Sequence, residues 1–435
     1  MRSFDVTWLG YLMAGVALYY FALFALSAKP LARRRRRRRQ IAGREPFMVL
    51  VLPAHNEELV IEETLESLTR LDYDHYLVLV LDDGSTDETA ALASVFEHDG
   101  RVVVVSRSAD VAGRGKGAVL NHAFAIVTDL VERGAPRFEG RGADDVVIGV
   151  MDADGVLEAH ALLDVAARFE DPKVGGVQIG VRIANAGDGL LERCQDMEFV
   201  GFSHLAQAAR DLIGSVGLGG NGQFTRLSAL LSLGRPPWTD CLTEDLDLGL
   251  SLIRRGWRIR FCPTAWVAQQ GVSTTRAWLR QRTRWAQGHY QCWTHFPGLL
   301  AARKARLLTR LDLTIYLLFV TFVMFVTANL LITIAGSTGL VWLSNDFLSF
   351  LPPGIPRNVA TLVLGVGPVA IFLVRYQQQS RFPLRWWELP AYGAAFAFYA
   401  YLWAVATVWA WMRMLLGRGG WAKTARIRRP QESSS

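Results

Sequence analysis

The chain has 435 residues, 51% of them hydrophobic, with 47 lysines and arginines against 40 aspartates and glutamates and a formal charge of +7. At about 150 residues per domain this length admits two or three units, and the concentration of apolar residues toward both ends excludes a wholly soluble globule. Cys194, Cys241, Cys262 and Cys292 form no CxxC pair and no histidine sits at zinc-finger spacing, so a zinc finger or disulfide scaffold is excluded and free thiols in a reducing compartment are expected.

In chain order, residues 8–28 are apolar over a length that crosses a hydrocarbon core. Seven consecutive arginines follow at 33–39, within a basic segment over 31–45. Charge after the apolar stretch, with no small-residue cleavage site, predicts an uncleaved helix (residues 1–30) with its N-terminus outside. The arginines then fix orientation and meet anionic membrane lipids; no nucleic acid is expected as a partner.

Residues 46–272 have the mixed composition of one α/β domain. Apolar runs predict strands at 48–53, 76–81, 101–106 and 146–151. Helical spacing predicts helices at 57–71, 86–97, 116–127 and 159–169. Such alternation implies a mostly parallel sheet with right-handed crossovers, and ligands of such sheets sit at the carboxyl ends of the strands. Residues 132–144 read as a surface insertion.

Residues 273–310 are basic and aromatic, as interfacial amphipathic helices are. Residues 311–416 hold candidate spans at 311–335, 359–374 and 389–416, and 417–435 form a basic tail. One plus three spans leave the tail outside, whereas its charges favour inside; a crossing or re-entrant segment near 342–351 is the alternative, and the span count stays open. The expected setting is a multi-pass protein of the cell membrane with a cytoplasmic catalytic domain.

Four acidic or basic motifs fall on this frame. Asp82 and Asp83 end the second strand, where an Asp-Asp-Gly-Ser turn is ordinary but a carboxylate also suits a base or ribose. Asp152-Ala153-Asp154 ends the fourth strand; positions two apart project to one side, and paired carboxylates suit Mg2+ or Mn2+ bridging a diphosphate. Thr243-Glu244-Asp245 opens an apolar-periodic helix, either as a capped helix start with acidic residues in its first turn or as the position of a general base. Gln281-Arg282-Thr283-Arg284-Trp285 lies in the basic, aromatic stretch, either as part of a surface helix or with Arg284 as a phosphate partner and Trp285 as a flat surface for a sugar.

Together with the Pro-Ala-His-Asn-Glu-Glu start at Pro53, these motifs in this order resemble glycosyltransferase family 2. The likeness is to its membrane-embedded branch of cellulose, chitin, hyaluronan and poly-N-acetylglucosamine synthases, and it runs from Pro53 to about Trp293. The resemblance implies a GT-A-type, Rossmann-like α/β domain flanked by transmembrane helices. It implies that Asn56, Glu57 and Asp82 hold the uridine, that Lys116 lies near the nucleotide, and that Asp152 and Asp154 hold the metal and diphosphate. It further implies that Asp245 is the catalytic base and that Gln281, Arg284 and Trp285 close over the donor and acceptor. The loop from Gly219 to Arg226 resembles an acceptor-facing segment. The implied chemistry is inverting transfer of a hexose or N-acetylhexosamine from a UDP-sugar to a growing β-linked polysaccharide. A single transfer to a lipid acceptor, giving a β-glycosyl glycolipid, is the alternative; a non-catalytic membrane binding protein on the same fold is a second. The sequence names neither the sugar nor any partner subunit.

Overall fold

The structure, a computed structural model, describes residues 44–318 apart from 109, residues 372–417, position 321 and most of 15–27. Its centre is an eight-stranded sheet of order β3-β2-β1-β4-β7-β6-β8-β5. Four strands come first: β1 (Phe47–Ala54), β2 (Tyr76–Asp82), β3 (Val102–Ser106) and β4 (Val146–Val150). They pair in parallel, β1 between β2 and β4, with β3 outside β2. Each is the apolar run that the sequence marks; β1, β2 and β4 are covered on both faces and so need apolar side chains nearly throughout, whereas β3 at the sheet edge is half-buried.

Alternation along these strands divides the core in two. Val49, Leu79 and Ile148 point to one face, under the Lys116–Glu132 and Glu244–Arg255 helices. Leu50, Val78, Val80 and Val147 point to the other, under the Ile61–Thr69 and Ala161–Ala166 helices.

Beyond β4 the sheet changes direction. The remaining strands are β5 (Val156–Leu157), β6 (Val174–Ile183), β7 (Gln223–Arg226) and β8 (Arg258–Gln269). β7 runs antiparallel to both β4 and β6, β6 pairs in parallel with β8, and β5 closes the edge antiparallel to β8. No apolar run announces β7, since Gln223, Thr225 and Arg226 are polar yet buried. Arg226 makes this burial tolerable by donating to the carbonyls of Val174 at 3.0 Å and Phe169 at 2.7 Å, and to that of Asp144.

The 132–144 stretch is only partly a surface insertion. Phe138 is buried against Phe47 with ring centroids 4.9 Å apart, and Arg141 Nε donates to the Glu45 carbonyl at 3.2 Å. An aromatic anchor inside a polar segment ties this loop over the start of β1.

Among the described residues, the Leu389–Leu415 helix is long and apolar enough to cross a membrane. The other expected spans, at 8–28, 311–335 and 359–374, and the 342–351 segment lie wholly or partly outside the described residues. The Thr275–Gln291 helix, expected at a membrane surface, packs against the Leu389–Leu415 helix, with Trp278, Arg282 and Tyr290 buried.

Gly149 faces Phe224 across the β4–β7 pairing, and a Cβ there would lie 2.7 Å from the Phe224 ring. Gly149→Ala should therefore destabilise the domain by about 1–3 kcal/mol through overpacking. Adding Phe224→Leu should recover part of that loss, with the double variant more stable than the two single losses predict by addition. Thermal unfolding in detergent checks both.

Candidate active site

A cavity of about 710 Å³ opens at the carboxyl ends of β1, β2 and β4. Its floor carries Lys116, Asp152, Glu244 and Asp245. Lys116 begins its helix after Gly115, and its Nζ donates to Asp152 Oδ1 at 2.6 Å and stands 3.8 Å from Glu244 Oε1. Burial disfavours this ammonium, but the charges of Asp152 and Glu244 outweigh it and raise its pKa. It is a fixed cation.

Asp245 sits in the first turn of the Glu244–Arg255 helix, where its Oδ1 accepts from Leu246 N at 2.7 Å. Thr243 does not cap this helix with its side chain; its hydroxyl lies 3.7 Å from Cys292 Sγ. Two glycines let other segments close on this turn. A Cβ at Gly220, which has φ 75°, would lie 2.9 Å from Asp245 Oδ2, and one at Gly288 would lie 2.5 Å from Thr243 N. Burial, then the Glu244 charge, pushes the Asp245 carboxyl up to about 7, while the Leu246 N–H and Lys116 pull it down. A carboxyl poised there suits proton transfer at neutral pH.

Asp152 and Asp154 do not share a strand face. β4 ends at Val150, and the chain then turns, with Gly155 N donating to the Asp152 carbonyl at 2.9 Å. Asp152 faces the cavity, whereas Asp154 is buried with Oδ2 accepting from Gln270 N at 2.9 Å. Turn geometry, not strand alternation, places these carboxylates. Among the described residues no three His, Cys, Asp or Glu side chains converge as a closed metal site. The oxygens of Asp152, open to the cavity, nevertheless fit a hard divalent ion that takes its remaining ligands from a diphosphate.

At the β1 and β2 ends, Glu57 lines the cavity, and its backbone N donates to Thr89 Oγ1 at 2.7 Å. Asn56, at φ 54°, accepts on Oδ1 from Thr86 N at 2.7 Å, and Asp82 Oδ1 accepts from Ser85 N at 3.3 Å. These two hold the loops together behind the wall. Asp83 is on the wall itself, its carboxylate receiving Arg107 and the backbone N of Gly113 at 3.2 Å. The resemblance assigns the uridine to Asp82, but of the pair it is Asp83 that lines the cavity, because the exit direction of β2 turns Asp82 to the loop behind.

Gln281, Arg284 and Trp285 all reach the cavity from the Thr275–Gln291 helix. Beside them stand Phe199 and Phe202, and Phe396, Tyr399 and Trp403 of the apolar Leu389–Leu415 helix, with Phe199 and Trp403 in ring contact with Trp285. Glu198 also lines the wall. It carries no motif; an acid in an apolar stretch beginning at Met197 is its only signal, and the pattern does not reveal its partner.

Residues 46–288 match the family model described as glycosyltransferase like family 2. The beta-monoglucosyldiacylglycerol synthase of Nostoc sp. is 34% identical over 292 residues, 66% of this chain and 58% of that protein. A poly-beta-1,6-N-acetyl-D-glucosamine synthase of Staphylococcus aureus is 28% identical over 248 residues, 56% of this chain and 55% of that protein. The matches thus span little more than half of these relatives. Among solved structures, a mannosyltransferase from Pyrobaculum calidifontis in complex with GDP-Man and Mn2+ matches with a TM-score of 0.57 at 19% identity, covering 93% of this chain and 99% of that one. At that identity the likeness speaks for the fold.

The charges around Asp245 predict two opposite effects. Glu244→Gln should lower the Asp245 pKa below about 7, and Lys116→Met should raise it above. Infrared titration of protein carrying 13C-labelled aspartate, with Asp245→Asn subtracted, reads both; shifts of the same sign would contradict this electrostatic assignment.

Proposed function

The chain belongs to glycosyltransferase family 2, and from that premise we propose that it is a membrane-bound, inverting enzyme transferring one hexose from a UDP-sugar to the hydroxyl of a diacylglycerol-type lipid. One observation carries the acceptor class. The cavity joins a floor of Lys116, Asp152 and Asp245 to an aromatic wall supplied by the apolar Leu389–Leu415 helix, so a polar donor and an apolar acceptor meet in one space. The 34% identity to a glucosyldiacylglycerol synthase supports the same reading. A growing β-linked polysaccharide is the second reading, favoured by the likeness to the staphylococcal polymer synthase; we place the lipid first. The catalytic domain then lies on the cytoplasmic face, where UDP-sugars are made.

In this reading Asp245 accepts the proton of the acceptor hydroxyl as its oxygen attacks the anomeric carbon from the side opposite the leaving UDP, so an α-linked donor gives a β-glycoside. Lys116 and Arg284 face the diphosphate and neutralise charge as it leaves; the guanidinium fork of Arg284 suits phosphate oxygens. Asp152, open to the cavity, is the residue that would hold Mg2+ or Mn2+, with Asp154 buried behind it, and the ion when bound would add to that neutralisation. Glu57 and Asp83 flank the nucleoside, with Asn56 and Asp82 shaping the loops that hold it. Gln281 and Trp285 orient the acceptor end, Trp285 as a flat face.

The test is purified protein in nanodiscs containing dioleoylglycerol and Mn2+, offered labelled UDP-glucose and UDP-N-acetylglucosamine. A solvent-extractable monoglycosyl lipid is expected, and Asp245→Asn should lower the rate by about 10²–10⁴-fold. Because the base must be ionised, kcat/KM should fall about tenfold per pH unit below about 7 and level off above it. A water-soluble, high-mass product would instead establish the polymer reading.

A further inference from the structure

Arg282 occupies one of the two unspecified positions between Gln281 and Arg284-Trp285, and none of the roles above uses it. Its side chain is 0% exposed, and it is absent from the cavity wall. Yet four of the groups it touches are on that wall. Nη1 donates to Gln281 Oε1 at 2.6 Å. Nη2 donates to Glu198 Oε2 at 2.6 Å and to the Tyr399 hydroxyl at 3.1 Å. The guanidinium carbon stands 4.0 Å from the centre of the Trp285 ring. Tyr399 itself donates to Glu198 Oε2 and accepts from Trp278 Nε1 at 2.9 Å.

Three elements meet at this one cation: the Thr275–Gln291 helix, the π-helical turn Met197–Ser203 that carries Glu198, and the apolar Leu389–Leu415 helix. A buried ion pair is a poor source of stability, since well-packed apolar groups serve as well or better. What a planar, multi-donor cation supplies and an apolar side chain does not is fixed direction to several partners at once. π-Helical turns are rare and are frequent at functional sites.

We propose that Arg282 is a positioning residue that sets the orientation of Trp285 and Gln281 on the acceptor side of the cavity, with Glu198 and Tyr399 holding it in place. The inference rests on the transferase reading of the cavity for its kinetic consequence, but not for its geometric one. Lysine at this position keeps a positive charge for Glu198 but cannot reach Gln281, Glu198 and Tyr399 together while lying over the Trp285 ring.

The test uses the full chain in nanodiscs with 5-fluorotryptophan incorporated and the Trp285 fluorine resonance identified by its loss in Trp285→Phe. Arg282→Lys and, as a variant that leaves the cation itself intact, Glu198→Gln should each shift or broaden the Trp285 resonance. With dioleoylglycerol as acceptor, both should raise the acceptor KM or lower kcat by about ten- to a hundredfold, while UDP affinity measured by calorimetry changes less than about twofold. An unchanged Trp285 resonance in both variants would overturn the proposal, as would an equal loss of UDP affinity. If the wild type transfers no sugar to dioleoylglycerol but the resonance moves in both variants, the lipid-acceptor reading fails and the positioning role stands.

Discussion

Asp152, Glu244 and Asp245 bring three carboxylates to one small space at the end of an apolar sheet, and Lys116 is the cation that lets them stay there. Like charges so close would otherwise drive each other to protonate or the loops apart. The ammonium is held by Asp152 and Glu244 and by the start of its helix, where Gly117 lies so near the Thr239 carbonyl that a Cβ would come within 2.5 Å. The acidic floor depends on this one charge placement, while the raised Asp245 carboxyl follows from its burial and the Glu244 charge, against the pull of Lys116. It joins parts of the chain far apart in sequence, and the sheet topology is what makes them neighbours.

The sheet explains why these groups share an edge. In a parallel α/β arrangement every strand delivers its loop to the same end, so β1, β2 and β4 supply Glu57, Asp83 and Asp152 together. The change to antiparallel pairing at β7 then returns the chain across β4, and the segment just before it, Gly219 to Gly222, lies over Asp245. The second half of the sheet thus builds the lid of the floor that the first half lays.

The parallel half was legible because buried strands are apolar at every position, and β1, β2, β3 and β4 fall where those runs predict. β7 was not, because Gln223, Thr225 and Arg226 are polar residues buried within the sheet, Arg226 giving its donors to main-chain carbonyls rather than to solvent. At the site, the acidic motifs stood out as residue types at strand ends and a helix start. Their individual directions did not: that Asp83 rather than Asp82 reaches the wall, and that Asp154 turns to Gln270, depend on turns that no pattern of two encodes. Glu198 and Tyr399 were illegible for a different reason. Each is a lone polar side chain set in an apolar stretch, 201 positions apart, and only the packed helices make them a pair.

The aromatic wall of the cavity has a consequence for anyone who wishes to work without lipid. A chain cut before Leu389 retains the sheet, the carboxylates and Lys116, and so keeps the features by which a folded nucleotide domain is judged. It loses Tyr399 and Trp403, and with them one side of the room in which an acceptor would stand. On the proposed function, such a truncated protein would report donor binding faithfully and acceptor choice poorly, because part of the acceptor wall would be carried by the helix that solubility demands be removed.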